Sequence, residues 1–186
     1  MEQEPEKKPE PDEIVKMEIT GITQDPSNNM PILILKSEKD DTAIPIWIGL
    51  IEASAIAVEL EGLQLPRPMT HDLLKSMLDK LGGKLQRIEV CDLKENTYYA
   101  TLIIKTADSE VQIDARPSDA IALALRTGAD IYVAAKVLKM SQQVDISALQ
   151  DAIKDNSDPE SAQKEKDKWS EILENLNPED FGKYKM

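Results

Sequence analysis

Residues 114–126, Asp-Ala-Arg-Pro-Ser-Asp-Ala-Ile-Ala-Leu-Ala-Leu-Arg, crowd the chain's most reactive side-chain types into one short stretch. Asp114 and Asp119 could carry a proton or ligate a cation, and Arg116, Ser118 and Arg126 could hold a phosphate. Pro117 suits the first position of a helix, where the N–H it lacks would have no partner. Ser118 and Asp119 then fall in the first turn, where free N–H groups and the helix dipole favour negative charge. Just before them, Glu110-Val111-Gln112-Ile113 alternates polar and apolar like a strand. The competing reading is plain capping by Asp119 with an Arg116 ion pair. An Arg set between two acids is more than capping requires.

A second group is Arg67-Pro68-Met69-Thr70-His71-Asp72. His71 suits general acid or base work near neutral pH, with Arg67 beside it for phosphate charge. A lone His in a helix first turn also serves structure. His71 is the only histidine, so a multi-histidine metal site within one chain is excluded. Any cation would be held by carboxylates, with Asp114, Asp119 and Glu52 as the set, which favours Mg2+ or Mn2+ over zinc. Glu52 and Glu59 are seven residues apart on one helical face among Ala, Ile and Val. If buried they need partners, and Arg67, Arg116 or Arg126 could supply structural salt bridges instead of a metal. Tyr98-Tyr99 reads as ordinary strand composition, though one ring could stack on a base.

The elements that must position these groups follow from periodicity. An alternating strand starts at Glu13, and Asp25-Pro26-Ser27-Asn28-Asn29 is a turn. Met30 to Lys36 is apolar enough for a strand covered on both faces. Ala43 to Ile48 pairs with it as a hairpin, and Pro45 marks an edge or a bulge. Helices are predicted over Leu50 to Glu61 and Asp72 to Leu81, the second capped by Thr70. Lys84 to Leu93, Tyr98 to Thr106 and a third strand ending at Asp114 form an antiparallel meander. A helix to Arg126 capped by Gly128, a short strand Ile131 to Val133 and a short helix Ala134 to Lys139 follow. Residues 1–12 read as a disordered acidic tail and 13–140 as the domain. Residues 141–186 read as a charged helical extension carrying the apolar stripe Trp169, Ile172, Leu173 and Leu176. The fold class is α+β, a mixed, curved β-sheet of hairpin plus meander packed with about four helices.

The net charge of −13 over 186 residues opposes bulk electrostatic attraction to nucleic acid, leaving only a weak or local contact. Aromatics are 4% of the chain, so the core must be aliphatic. Cys91 is the only cysteine, which rules out an intramolecular disulfide. No apolar run is long enough to span a bilayer and the first residues lack signal-peptide character, so a cytoplasmic location without membrane contact is expected.

Ile44-Pro45-Ile46-Trp47-Ile48-Gly49, Glu52-Ala53, Arg67-Pro68-Met69-Thr70-His71-Asp72-Leu73-Leu74, Tyr98-Tyr99-Ala100 and the stretch 114–126 fall in the order and spacing of one known family. Over roughly residues 14–140 the chain resembles the bifunctional nuclease domain family, long catalogued as a domain of unknown function. The resemblance implies an α+β fold, self-association with a dimer favoured, and hydrolysis of DNA and RNA. The residues offer that activity a divalent-metal site, phosphate-binding arginines and His71 as acid or base. They equally offer a non-catalytic anion- or nucleotide-binding module, or a regulatory oligomer in which the arginine–acid clusters are ion pairs.

Overall fold

The computed structural model describes residues 13–40 and 42–141. The expected acidic tail and the stripe at Trp169–Leu176 lie outside the described residues. Within them the chain runs β1 (Ile14–Gln24), β2 (Pro31–Ser37), β3 (Ala43–Trp47), α1 (Leu50–Leu60) and α2 (Thr70–Lys80). It continues with β4 (Lys84–Lys94), β5 (Thr97–Lys105), β6 (Glu110–Ala115), α3 (Pro117–Thr127), β7 (Asp130–Ala134) and α4 (Ala135–Ser141). The class is α+β, as the patterning predicts.

The seven strands form one mixed sheet in the order β3-β2-β1-β7-β4-β5-β6. Two antiparallel meanders, β1–β3 and β4–β6, are joined by β7, which pairs antiparallel with β1 and parallel with β4. The β2–β3 hairpin is as expected. Its Pro45 is accommodated because β3 is an edge strand with an unpaired side. In β2 both residue sets are sealed: Leu33 and Leu35 belong to the main core, while Ile32 and Ile34 form a separate cluster flanked by Ala43 and Trp47. The β4–β5 turn places Glu95 and Asn96 at φ 48° and 59°, the paired left-handed geometry of a two-residue hairpin loop.

An aliphatic core fills the space between the sheet and the helices. Leu85, Ile88 and Val90 of β4 and Ile131 and Val133 of β7 meet Ala120, Ile121 and Ala124 of α3 and Ala53, Ile56 and Ala57 of α1. α3 is the central helix, packed against both α1 and α2. Gly128 ends it at φ 68°, where a side chain would be strained. α2 lies outermost and buries no residue fully. Its cap differs from the expected Thr70. Met69 occupies the cap position, and the Asp72 carboxylate reaches back to accept the Met69 N–H at 2.7 Å. A side chain three residues into the helix therefore accepts the N–H of the cap residue, whereas a capping Thr would have accepted an N–H from within the first turn.

Candidate functional site

Three helix starts converge on one cleft. Glu52 sits in the first turn of α1, His71 in the first turn of α2, and Arg116 is the residue immediately before α3, with Asp119 in that helix's first turn. Asp114 comes from the end of β6. All five line a cavity of about 600 Å³, with Ser54, Met69 and Leu74 on its walls. Helix N-termini present free N–H groups and the positive end of the dipole, which suits an anion.

The polar side chains are linked in series. Arg116 donates from Nη1 to Glu52 Oε1 at 2.8 Å, and from Nε and Nη2 to the two oxygens of Asp119 at 2.7 and 3.2 Å. His71 Nε2 lies 3.2 Å from Asp119 Oδ1. Burial pushes the Asp119 carboxyl up, but the bonds from Arg116 and His71 outweigh it and hold it below the ordinary carboxylate value. Asp119 is therefore a carboxylate that only accepts, so Nε2 of His71 carries the proton and Nδ1 is left as the ring's free acceptor. The Arg116 side chain remains 65% exposed despite its two acidic partners. Three of its five N–H groups are used, which leaves two for a ligand.

The other sequence candidates separate from this group. Arg126, expected to bind phosphate, is instead structural, with a side chain only 2% exposed. It donates to Asp72 Oδ1 at 2.6 Å and to its own helix's Ala122 carbonyl at 2.9 Å, with Glu59 at 4.0 Å. Glu59 and Asp72 are thus partners of a buried guanidinium, the salt-bridge alternative raised for the acids of α1. Arg67 is exposed and makes no hydrogen bond or ion pair among the described residues. It does not line the cleft. Ser118 is buried and faces a neighbouring cavity shared with Arg116. Ser54 on the cleft wall was missed, because one Ser within an apolar helix gives no periodic signal.

A cation held by Glu52, Asp114 and Asp119 does not fit this arrangement. Arg116 stands between Glu52 and Asp119 and already neutralises both. Among the described residues no three His, Cys, Asp or Glu side chains gather closely enough to hold a metal ion. Three carboxylates facing one guanidinium also leave the cleft negative whenever His71 is neutral.

The family model described as bifunctional nuclease domain matches residues 33–146, a span that contains every residue of this cleft. An uncharacterized Mycobacterium tuberculosis protein is 38% identical over 170 residues, which is 89% of this chain and 97% of that protein. Bifunctional nuclease 1 of Arabidopsis thaliana is 31% identical over 108 residues, 55% of this chain and 33% of that protein. Bifunctional nuclease 1 of Oryza sativa subsp. japonica is 26% identical over 105 residues, 54% of this chain and 32% of that protein. The plant proteins are therefore about three times as long as the segment they share with it. With the fold, the ordered motifs and the matched span in agreement, the chain belongs to the bifunctional nuclease domain family.

Proposed function

We propose that the chain hydrolyses phosphodiester bonds of DNA and RNA in the cleft between the starts of α1, α2 and α3. The observation that carries this reading is the gathering of His71, Asp114, Arg116 and Asp119 on one open cavity. Arg116 binds the phosphate through its two spare N–H groups. Asp119 fixes the His71 ring, and His71 Nδ1 takes a proton from the attacking water or returns one to the leaving oxygen. Asp114, whose side chain makes no hydrogen bond or ion pair among the described residues, supplies a second proton-transfer group on the same cavity. Glu52 holds Arg116 in place. No step is routed through Mg2+ or Mn2+, because two of the three acids that would hold the ion, Glu52 and Asp119, are bound to Arg116. The reading includes a cytoplasmic location and self-association as a dimer. Support for the latter is the exposed apolar face of α2, and no helix among the described residues is long and apolar enough to cross a membrane.

The test is hydrolysis of single-stranded DNA and RNA by the wild type, His71→Ala and Asp114→Asn. His71→Ala should lower kcat by about 10²–10⁴-fold, the range for general acid–base groups. Unchanged hydrolysis in both variants sinks the proposal. A non-catalytic anion- or nucleotide-binding module draws on the same exposed Arg116 and on the three helix starts around it. It would show as a nucleotide-induced thermal shift without turnover.

A further inference from the structure

A second cavity, of about 310 Å³, adjoins the first and shares Glu52 and Arg116 with it. Its walls are apolar at Ile46, Ile48 and Pro117, and aromatic at Trp47. Asn96 and Tyr98 line it from the β4–β5 hairpin. Two features mark it as prepared for a ligand. The Trp47 ring is pinned by its N–H donating to Asp25 Oδ2 at 2.9 Å. A fixed ring costs no ordering when a ligand arrives. Asn96, held at φ 59° by the hairpin turn, has an amide with no bonded partner among the described residues. It offers both donor and acceptor.

The geometry points to this cavity as the nucleobase subsite of the cleft, accepting one unpaired base of a single strand whose phosphate lies beside Arg116. A base has flat apolar faces and a polar edge. The aliphatic and proline walls suit the faces, and the Asn96 side-chain amide suits the edge. The volume sits at the low end for small-ligand sites, enough for one nucleoside and too small for a base pair. A base within a duplex cannot enter without leaving its stack, so the subsite selects single-stranded or locally opened substrate. This inference rests on the proposed hydrolytic reading for the position of the phosphate.

The experiment compares a short fluorescent single-stranded DNA with the same strand made abasic, following both binding and cleavage. The wild type should bind the base-bearing strand roughly tenfold more tightly, the lower part of what stacking of one base supplies. Asn96→Gly, which keeps the left-handed turn, should shrink that preference several-fold and leave abasic binding unchanged. Equal binding of the two strands by the wild type overturns the subsite, as does an equal loss for both strands in Asn96→Gly. A wild type that prefers the base-bearing strand and cleaves neither retains the subsite and removes the hydrolysis. Cleavage of both strands without preference does the reverse.

Discussion

Arg116 and Arg126 lie ten residues apart and look interchangeable in the sequence, yet they do opposite things. Arg126 is sealed by Asp72 and its own helix, while Arg116 is clamped by two acids but left open to the cleft. Arg116→Ala should therefore cost little stability and reduce kcat/KM by about 10²-fold, the scale of losing one preorganised charge donor. Excess EDTA should leave hydrolysis intact. Loss with EDTA and restoration by Mg2+ or Mn2+ would show instead that a cation displaces Arg116 from Glu52 and Asp119. Asp114 allows a sharper contrast. It adds negative charge to a site meant for phosphate, so Asp114→Asn should lower KM while lowering kcat; a lower KM with unchanged kcat would leave it no part in proton transfer. Tyr98 has its own signature, because burial pushes its phenol up to about 12. The raised value means the folded state holds the proton longer. The unfolded chain ionises first, so stability falls as the pH rises from about 10 toward 12, and Tyr98→Phe should flatten the alkaline limb of a Tm–pH curve. Residue type alone marked His71, Asp119 and Arg116 as candidates. Which arginine was buried was not legible, since it depends on how α2 crosses α3.

That crossing is held by the short Asp72–Arg126 ion pair and by the His71–Asp119 hydrogen bond. Asp72 accepts from Met69 N–H with one oxygen and from Arg126 with the other, so it both starts α2 and fastens it to α3. Burial pushes the Asp72 carboxyl up, but the Met69 N–H and Arg126 outweigh it and hold it low. Asp72→Ala removes the cap and leaves Arg126 buried without its main partner. It should cost about 3 kcal/mol, the low end for breaking a buried pair, measured by urea unfolding. Arg126→Met should cost less, because Asp72 is exposed enough to be solvated once released. Element boundaries were largely legible. α1 was predicted from Leu50 and begins there, and the Gly128 stop is in place. The start of α2 was not, because cap prediction looks for a polar residue at the cap and Met69 is apolar. The missing oxygen arrives from Asp72, three residues later. Gly49 hides a similar dependence. The Glu52 carboxylate folds back over it so closely that a Cβ would collide. Gly49→Ala must push Glu52 away from its present position beside Arg116.

Across the whole molecule, acid should act through the same carboxylates. Asp72 and Asp119 are both held below their ordinary value. Each contributes stability that is complete above the unfolded value of about 4 and is lost as the pH falls through the folded one. Asp72→Asn and Asp119→Asn should accordingly lessen the acid dependence of the Tm. The proposed dimer is tested by sedimentation. Leu74 and Met77 on α2 are about half exposed and Leu81 is 82% exposed, more contiguous apolar surface than one outer helix needs. Leu74→Glu with Met77→Glu should give a monomer if this face is the contact. An unchanged mass would place the contact elsewhere. The α+β class, the β2–β3 hairpin and the second meander were legible because each pairs neighbours in sequence. The central position of β7 was not: the five residues Asp130–Ala134 carry no local sign that they join the first strand of one meander to the first strand of the other.

The placement of β7 also sets an order of events. Each meander consists of local pairings that can form early, whereas β7 must bring Ile131 beside both Met17 and Ile88 before the sheet is continuous. Long-range pairings of this kind are slow because the chain must close a large loop first. Glu52 follows the first meander, while Arg116 and Asp119 follow the second. The cleft is therefore assembled only when the halves are zipped together, and a refolding chain should regain its strands before it regains any catalytic turnover.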